Sequence, residues 1–295
     1  MEKIRDGITL SINCILNNLY KIEMIISVSE VSIVYKGKNI LTEDQIIIKE
    51  FYPKSIAIRD LDNKTIINRL PSSKGKFDAL KQNFLHEAII LQQLSHDNII
   101  KYISHFEENN TAYIVTEYYD GITLNQYLKS IPLHKRHSLF NSIFIPLINA
   151  LHYIHKKGII HRDIKPSNIM IDSKKNVFLL DFGSAIFYKN NEEASIFTTP
   201  GYSALEQYSK KAKQGIKTDI YGFAATLYYS LTDVVPIDIS QRLITGKISS
   251  VKSNNRKITL LLSMIISWSL ALAQRKRCFS LNFIKLALLI DKYFK

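Results

Sequence analysis

The apolar positions along this chain change period after about its first third, and that change predicts the architecture. Up to residue 117 the apolar runs are short, β-branched or aromatic, and bounded by polar residues. They fall at 22–26, 33–35, 46–51 and 112–117, which predicts strands. One helix interrupts them, because Phe77, Leu80, Phe84, Ala88 and Leu91 recur at steps of three and four. After Gly121 the period is helical. Leu139, Ile143, Leu147, Leu151 and Ile154 form a stripe closed by Lys156, Lys157 and Gly158, a basic last turn with a glycine stop. Pro146 lies inside that stripe and is expected to bend the helix or remove one of its hydrogen bonds. A further helix is expected over 220–231 and two more within 258–293. Residues 1–19 carry no interpretable motif and could form a helix packed on the strand-rich part. The prediction is an α+β chain, strands first and helices after.

Composition narrows this picture only a little. A chain of 295 residues, 46% apolar and 22% charged, can bury a substantial core, and one bilobal domain is the economical reading. The formal charge of +13 raises nucleic acid or an anionic membrane as partners. The lysines are scattered, however, and the clusters at 210–213 and 275–277 are short and unaccompanied by a nucleic-acid motif. A mildly basic surface with no specific nucleic acid is expected. The uncharged stretch 258–273 is shorter than the roughly 20 residues of a spanning helix. Ser263, Ser267 and Ser269 also interrupt it, so a buried helix is expected and no membrane span. Glu2, Lys3, Arg5 and Asp6 break any secretory apolar core at the start. Cys14 and Cys278 lack metal-ligand or C-x-x-C spacing, which suits reduced thiols. A cytoplasmic setting is expected, with delivery into another cell left open; the pattern does not address oligomeric state.

The chemistry is concentrated in His161-Arg162-Asp163-Ile164-Lys165-Pro166-Ser167-Asn168, followed by Asp181-Phe182-Gly183. Five fixed identities of H-R-D-x-K-x-x-N match by chance with odds of roughly 10⁻⁴ over such a length. The pattern resembles the catalytic and metal-binding loops of protein kinases. Ile48-Lys49-Glu50-Phe51-Tyr52-Pro53, the long segment before the first helix, Thr199-Pro200-Gly201-Tyr202-Ser203-Ala204-Leu205-Glu206-Gln207-Tyr208 and Thr218-Asp219-Ile220-Tyr221 resemble a bacterial serine/threonine group with an extended connection after the lysine strand.

That resemblance covers nearly all of 20–295. It implies a bilobal kinase fold with an N-terminal extension at 1–19, a strand-rich lobe at 20–118 and a helical lobe at 119–295. ATP would bind between the lobes with Mg²⁺, or Mn²⁺ in its place, and the acceptors would be protein Ser/Thr hydroxyls. Asp163 would accept or orient the hydroxyl proton, and Lys165 would place a cation beside the transferring phosphoryl. Asn168 and Asp181 would supply hard oxygen ligands to the metal. Lys49 would hold phosphates and pair with Glu87. Thr116 would guard the back of the nucleotide pocket, with backbone groups of Glu117 and Tyr118 meeting adenine and with Val34 and Met170 covering its faces. Thr199 would bond near Asp163 and Lys165, Glu206 would pair with Arg277, and Asp219 would brace the loop carrying His161. Phe182 and Gly183 complete the second metal motif. Arg162 implies control by a phosphate on the segment 184–203, with Ser195 and Thr198 as candidates and autophosphorylation as the source.

Three departures weigh against full activity. The glycine-rich loop has Ser27, Ser29 and Ser32 at its glycine positions; serine there is expected to resist positive φ and to weaken ATP binding without abolishing it. Ile47 replaces a small residue and is expected to crowd adenine, and Ala224 or Ala225 replaces a helix glycine at little cost. A pseudokinase or nucleotide-regulated scaffold is the rival reading, and an adaptor for nucleic acid or membrane built on the same fold is a third. Retention of Lys49, Asp163, Asn168 and Asp181 favours the enzyme.

Overall fold

A computed structural model of the chain describes residues 7–133, 136, 140–189, 195–246 and 248–293. Residues 1–6 of the N-terminal extension, Leu139 of the predicted stripe and 190–194 of the predicted activation segment lie outside the described residues. The chain divides into two units, Met1–Ser95 with Ile100–Tyr119, and His96–Ile99 with Asp120–Lys295.

The first unit holds β1 (Ile15–Leu16), β2 (Tyr20–Val28), β3 (Ser32–Asn39), β4 (Gln45–Phe51), β5 (Ala57–Arg59), β6 (Ile66–Asn68), α1 (Lys74–Gln92), β7 (Tyr102–Glu108) and β8 (Thr111–Glu117). Six of these strands form one antiparallel sheet in the order β1-β2-β3-β4-β8-β7. Helix α1 buries Phe77, Phe84, Ala88 and Leu91 of the stripe read from its spacing and leaves Leu80 half-buried. Residues 7–19 do not form a helix. Asn13, Asn17 and Asn18 take positive φ, which suits turns, and β1 adds an edge strand to β2 while Leu10 and Leu16 are buried. Strand β7 was not legible in the apolar pattern. It alternates between half-buried and exposed positions, with Ile103 outward and Ser104 bonded to the Tyr20 hydroxyl at 2.7 Å. Its hairpin to β8 turns through Asn109 and Asn110, both at positive φ, as a tight two-residue loop requires.

The connection between β4 and α1 is a packed hairpin tied to the sheet by a buried polar network. Lys49 and Glu50 are neighbours on β4 and so face opposite sides of it. Glu50 is fully buried and accepts from Arg59 Nη2 at 2.8 and 3.0 Å, from the Tyr35 hydroxyl at 2.7 Å and from the Tyr113 hydroxyl at 3.1 Å. Arg59 also donates to the carbonyls of Ile8 and Lys64, and the Leu10 N–H donates to the Tyr35 hydroxyl. Burial pushes the Glu50 carboxyl up from its ordinary range, and the Arg59 guanidinium with the two phenols pulls against it. Tyr35→Phe is expected to lose about 1.5–3 kcal/mol, because it removes a bond to a charged group and orphans the Leu10 N–H. Tyr20→Phe, whose hydroxyl meets a neutral serine, is expected to lose only about 0.5–1.5 kcal/mol. Equal losses for the two in urea titrations would count against the network.

The second unit holds β9 (Gly121–Thr123), α2 (Leu124–Ser130), α3 (Phe140–Lys156), β10 (Ile159–Ile160), β11 (Ile169–Asp172), β12 (Val177–Leu179), β13 (Ile186–Phe187), α4 (Ile216–Thr232), α5 (Ile239–Thr245), α6 (Val251–Asn254), α7 (Leu260–Ser269) and α8 (Leu281–Tyr293). Thr123 and Gln126 form a capping box that starts α2. Helix α3 runs through Pro146 as one element and buries Ile143, Leu147, Leu151 and Ile154. Helix α4 is buried along nearly its whole length, including Ala224 and Ala225, so alanine is accommodated there. The uncharged stretch 258–273 becomes α7, capped by Thr259 and ended by a turn at Leu270. No helix among the described residues is long and apolar enough to cross a membrane.

Candidate active site

The loop after β10 is held in an unusual backbone shape. Arg162 has φ of 69°, a left-handed conformation that a bulky side chain adopts only under constraint. The constraint is Asp219, buried in the first turn of α4. Its carboxylate accepts the N–H groups of His161 at 2.9 Å and Arg162 at 2.8 Å and meets His155 Nε2 at 2.8 Å. Burial opposes ionisation of Asp219, but the hydrogen bond and charge of His155, with His161 nearby, hold the carboxyl below its usual range. Helix α4 also approaches from below. A Cβ at Gly222 would lie 3.3 Å from Ile164, and the Thr226 hydroxyl donates to the Ile164 carbonyl at 3.1 Å. His161 bonds the Leu180 carbonyl through Nε2 at 2.8 Å and packs edge-on against Phe182.

On this support stands a compact polar cluster. Asp163 Oδ1 accepts from the Thr199 hydroxyl at 2.9 Å. Its Oδ2 accepts from Asn168 Nδ2 and Lys165 Nζ, each at 2.8 Å, and Lys165 also donates to the Thr199 hydroxyl at 3.0 Å. Both oxygens of Asp163 are therefore fixed in direction. The Asn168 amide nitrogen is engaged by Asp163, including its carbonyl at 2.9 Å, so the remaining amide oxygen is the group Asn168 can offer a cation. Asp181 sits at φ of 53° two residues past the end of β12, and the intervening Leu180 N–H donates to the Asn168 carbonyl at 2.8 Å. An amide oxygen and a carboxylate are the hard donors that suit Mg²⁺ or Mn²⁺. Among the described residues no group of three or more His, Cys, Asp or Glu side chains forms a metal cage.

The segment leading away from Thr199 is anchored at several points. Thr199 N–H donates to Ser203 Oγ at 2.8 Å, and Gln207 Nε2 donates to the Arg162 carbonyl at 2.7 Å. Glu206 and Arg277 form a buried ion pair, with bonds of 2.7 and 3.1 Å. Arg162 points its guanidinium at the backbone, donating to the carbonyls of Ser184 at 3.1 Å and Ser195 at 2.5 Å. Its buried Nε has no partner among the described residues, and burial lowers its pKa to about 10. Ser195 is half-buried and Thr198 exposed. Gly183 N–H makes a long contact of 3.4 Å with Asp181 Oδ1.

In the first unit, Lys49 Nζ pairs with both carboxylate oxygens of buried Glu87, at 2.8 and 3.0 Å. Val34 pairs with Lys49, Lys36 with Ile47, and Ile47 with Thr116, so these side chains share one sheet face. Ile47 is only half-buried on that face, beside Lys36, whose ammonium lies 4.0 Å over the Tyr118 ring. The N–H groups of Glu117 and Tyr118 already donate to the carbonyls of Lys101 and Gln45. In the second unit Met170 lies half-buried on β11, paired with Phe178 and Thr123.

The serine loop also differs from expectation. None of Ser27, Ser29 and Ser32 takes positive φ, so the anticipated backbone penalty does not arise. Ser29 Oγ instead accepts the N–H of Ser32 at 3.0 Å and bonds the Ser32 hydroxyl at 3.0 Å, closing a tight turn between β2 and β3. A Ser27→Gly/Ser29→Gly/Ser32→Gly variant is expected to bind Mg-ATP more tightly, since backbone N–H groups can then approach phosphate. It is also expected to lose about 1–2 kcal/mol of stability with the turn bonds and added chain entropy. No gain in either affinity or rate would refute the first half.

Sequence reasoning missed His155, Gly222 and Thr226 beneath the loop. Only the glycine inside a helical pattern offered a signal, as a mark of close approach.

A strand-rich unit with a lysine–glutamate pair, and a helical unit with an Asp-Lys-Asn-Thr cluster, define a kinase-type fold. The sequence pattern of the family described as Protein kinase domain matches residues 20–284. Serine/threonine-protein kinase D of Synechocystis is 32% identical over 217 residues, covering 70% of this chain and 41% of that protein. Serine/threonine-protein kinase PrkC of Bacillus subtilis is 32% identical over 185 residues, 60% of this chain and 28% of that protein. The solved apo form of PpkA-294 superposes with a TM-score of 0.82 at 29% identity, covering 95% of this chain and 99% of that one. The chain belongs to the protein kinase domain family. Its matches span less than half the length of these two curated relatives.

Proposed function

We propose that this chain transfers the γ-phosphoryl group of ATP to serine and threonine hydroxyls of proteins, using Mg²⁺, with Mn²⁺ as a substitute. The observation that carries the reading is the Asp163 carboxylate, held by Thr199, Asn168 and Lys165. Asp163 accepts the proton of the acceptor hydroxyl as its oxygen attacks, and the fixed carboxylate orients that hydroxyl before reaction. Lys165 keeps a positive charge beside the developing negative charge, and Thr199 holds Lys165 and Asp163 in register. Asn168 Oδ1 and Asp181 would hold the metal, and Lys49, braced by Glu87, would hold phosphate oxygens. The metal, when bound, neutralises phosphate charge.

Arg162 supports a regulatory role for the segment around Ser195 and Thr198, where autophosphorylation would add an anion for its buried guanidinium. Unbridged Cys14 and Cys278 support action in a reducing compartment, the cytoplasm. Retention of the whole Asp163 cluster speaks against a scaffold without activity. The test is transfer of label from γ-labelled ATP to a basic protein acceptor. Label on Ser and Thr with wild type, and none above background with Asp163→Asn, is expected. Equal labelling by both chains would remove the proposal.

A further inference from the structure

Helices α7 and α8 each carry a second apolar stripe that faces away from the core. On α7, Leu262, Ser263 and Ile266 are buried while Leu260, Met264 and Trp268, spaced four apart, point outward. Around α8, Leu281, Ile284 and Ala287 are buried while Phe279, Phe283 and Leu286 point outward. These six outward side chains are 37% to 63% exposed. The two stripes join where Trp268, Phe279 and Phe283 contact one another edge-on, with ring centroids 5.1 to 5.9 Å apart. A continuous exposed patch built around three touching aromatic rings requires an explanation.

Its surroundings are cationic. Exposed Arg256 and Lys257 lie four and three residues before the start of α7, and exposed Arg275 and Lys276 lie in the turn between Trp268 and Phe279. Lys252 fixes the first pair by donating to the carbonyls of Arg256 and Ile258. From Ile239 onward the sequence has one carboxylate side chain, Asp291, which is buried and accepts the Thr259 N–H at 2.7 Å. No other acidic side chain of this last stretch of sequence is therefore present to offset these cations. Two of the three serines of α7 are engaged inside the fold: Ser263 Oγ accepts the Lys252 N–H, and the Ser269 hydroxyl donates to the Ile265 carbonyl. The patch thus presents apolar side chains and cations with few directed hydrogen-bonding groups. Protein interfaces also enrich aromatic, methionine and arginine side chains, but they add directed hydrogen bonds, roughly ten in an interface of ordinary size. A fluid surface with negative headgroups over an apolar interior needs none of them.

We propose that the α7–α8 face is a peripheral docking surface for an anionic lipid bilayer. The aromatic cluster and its flanking aliphatic side chains enter the headgroup boundary, where tryptophan is favoured, and the arginines and lysines meet the anionic headgroups. This inference does not depend on the catalytic reading, because none of its residues belongs to the Asp163 cluster.

Trp268 is the only tryptophan in the chain, so its fluorescence reports this site alone. The full chain is titrated with phosphatidylcholine vesicles, with and without about 30% phosphatidylserine. The expected result is a blue shift of Trp268 emission and co-sedimentation with the anionic vesicles only, both reversed by salt. Arg275→Glu/Lys276→Glu is expected to weaken partitioning about tenfold or more, since each cation near such a surface contributes roughly fivefold. Met264→Glu/Phe279→Glu is expected to abolish the shift. All four positions are exposed, and Leu61→Glu, at a lone leucine of the first unit, serves as the control that leaves binding and melting unchanged. No shift with anionic vesicles overturns the proposal. So does a Trp268 shift that follows protein concentration or an added acidic apolar peptide without lipid, which would make the face a protein interface.

Discussion

Replacing Asp163 with asparagine is expected to lower the rate of phosphoryl transfer by about 10² to 10⁴-fold, the range over which a positioned base acts. The substitution keeps shape. An amide oxygen can still accept from the Thr199 hydroxyl or from Lys165, so the cluster around Thr199, Lys165 and Asn168 retains most of its bonds. What is lost is the negative charge and the site to which the hydroxyl proton goes. Nucleotide affinity is therefore expected to stay within a few-fold of wild type, and the melting curve to move little, while kcat falls. Measured together, these quantities separate roles. A fall in kcat of less than tenfold would deny Asp163 the part of base. Loss of nucleotide binding would instead make it a residue that organises the metal side of the site through Asn168.

The parts of this site that were legible in the sequence share a property: their spacing is local. Asp163, Lys165 and Asn168 lie within one loop, and the structure joins all three by hydrogen bonds. Thr199 and Asp219 were reachable through a family resemblance, which stands in for the long-range information a single sequence lacks. The strands over 33–35, 46–51 and 112–117 were legible because β-branched runs bury a central sheet. Edge strand β7 was not, since its inward positions include a serine and its outward ones an isoleucine. The turns of 7–19 depend on asparagines at positive φ, which no apolar period reports. The Glu50 network was invisible for a stronger reason. Its members come from β3, β4, β5 and β8, and nothing in a charged residue's identity says that it will be buried against a partner nine positions away. His155 escaped for the same reason, standing 64 positions from the carboxylate it meets.

Arg277→Met is expected to be the most destabilising of the substitutions considered, at about 3–5 kcal/mol, because it strands a buried carboxylate. Arg277 is 1% exposed, so solvent does not reach its donors in the folded chain. It holds both oxygens of Glu206 and donates to the carbonyls of Lys217, Ala271 and Leu272. Methionine fills much of the volume and supplies none of these donors, leaving Glu206 with the Thr218 hydroxyl at 2.9 Å. Urea titration is expected to show the midpoint falling with an unchanged slope. Adding Glu206→Gln removes the stranded charge and is expected to recover part of the loss; a double variant no more stable than the single one would mean that the three carbonyls, not the carboxylate, set the cost. Activity is expected to fall as well under conditions where the variant remains folded. Glu206 lies next to Gln207, whose amide bonds the Arg162 carbonyl one residue before Asp163. A loosened Glu206 frees that amide, and the left-handed turn at Arg162 loses one of the bonds that hold Asp163 in direction. If kcat in the folded variant equals that of wild type, then Asp219 alone suffices to hold the turn, and the Glu206–Arg277 pair acts on stability only.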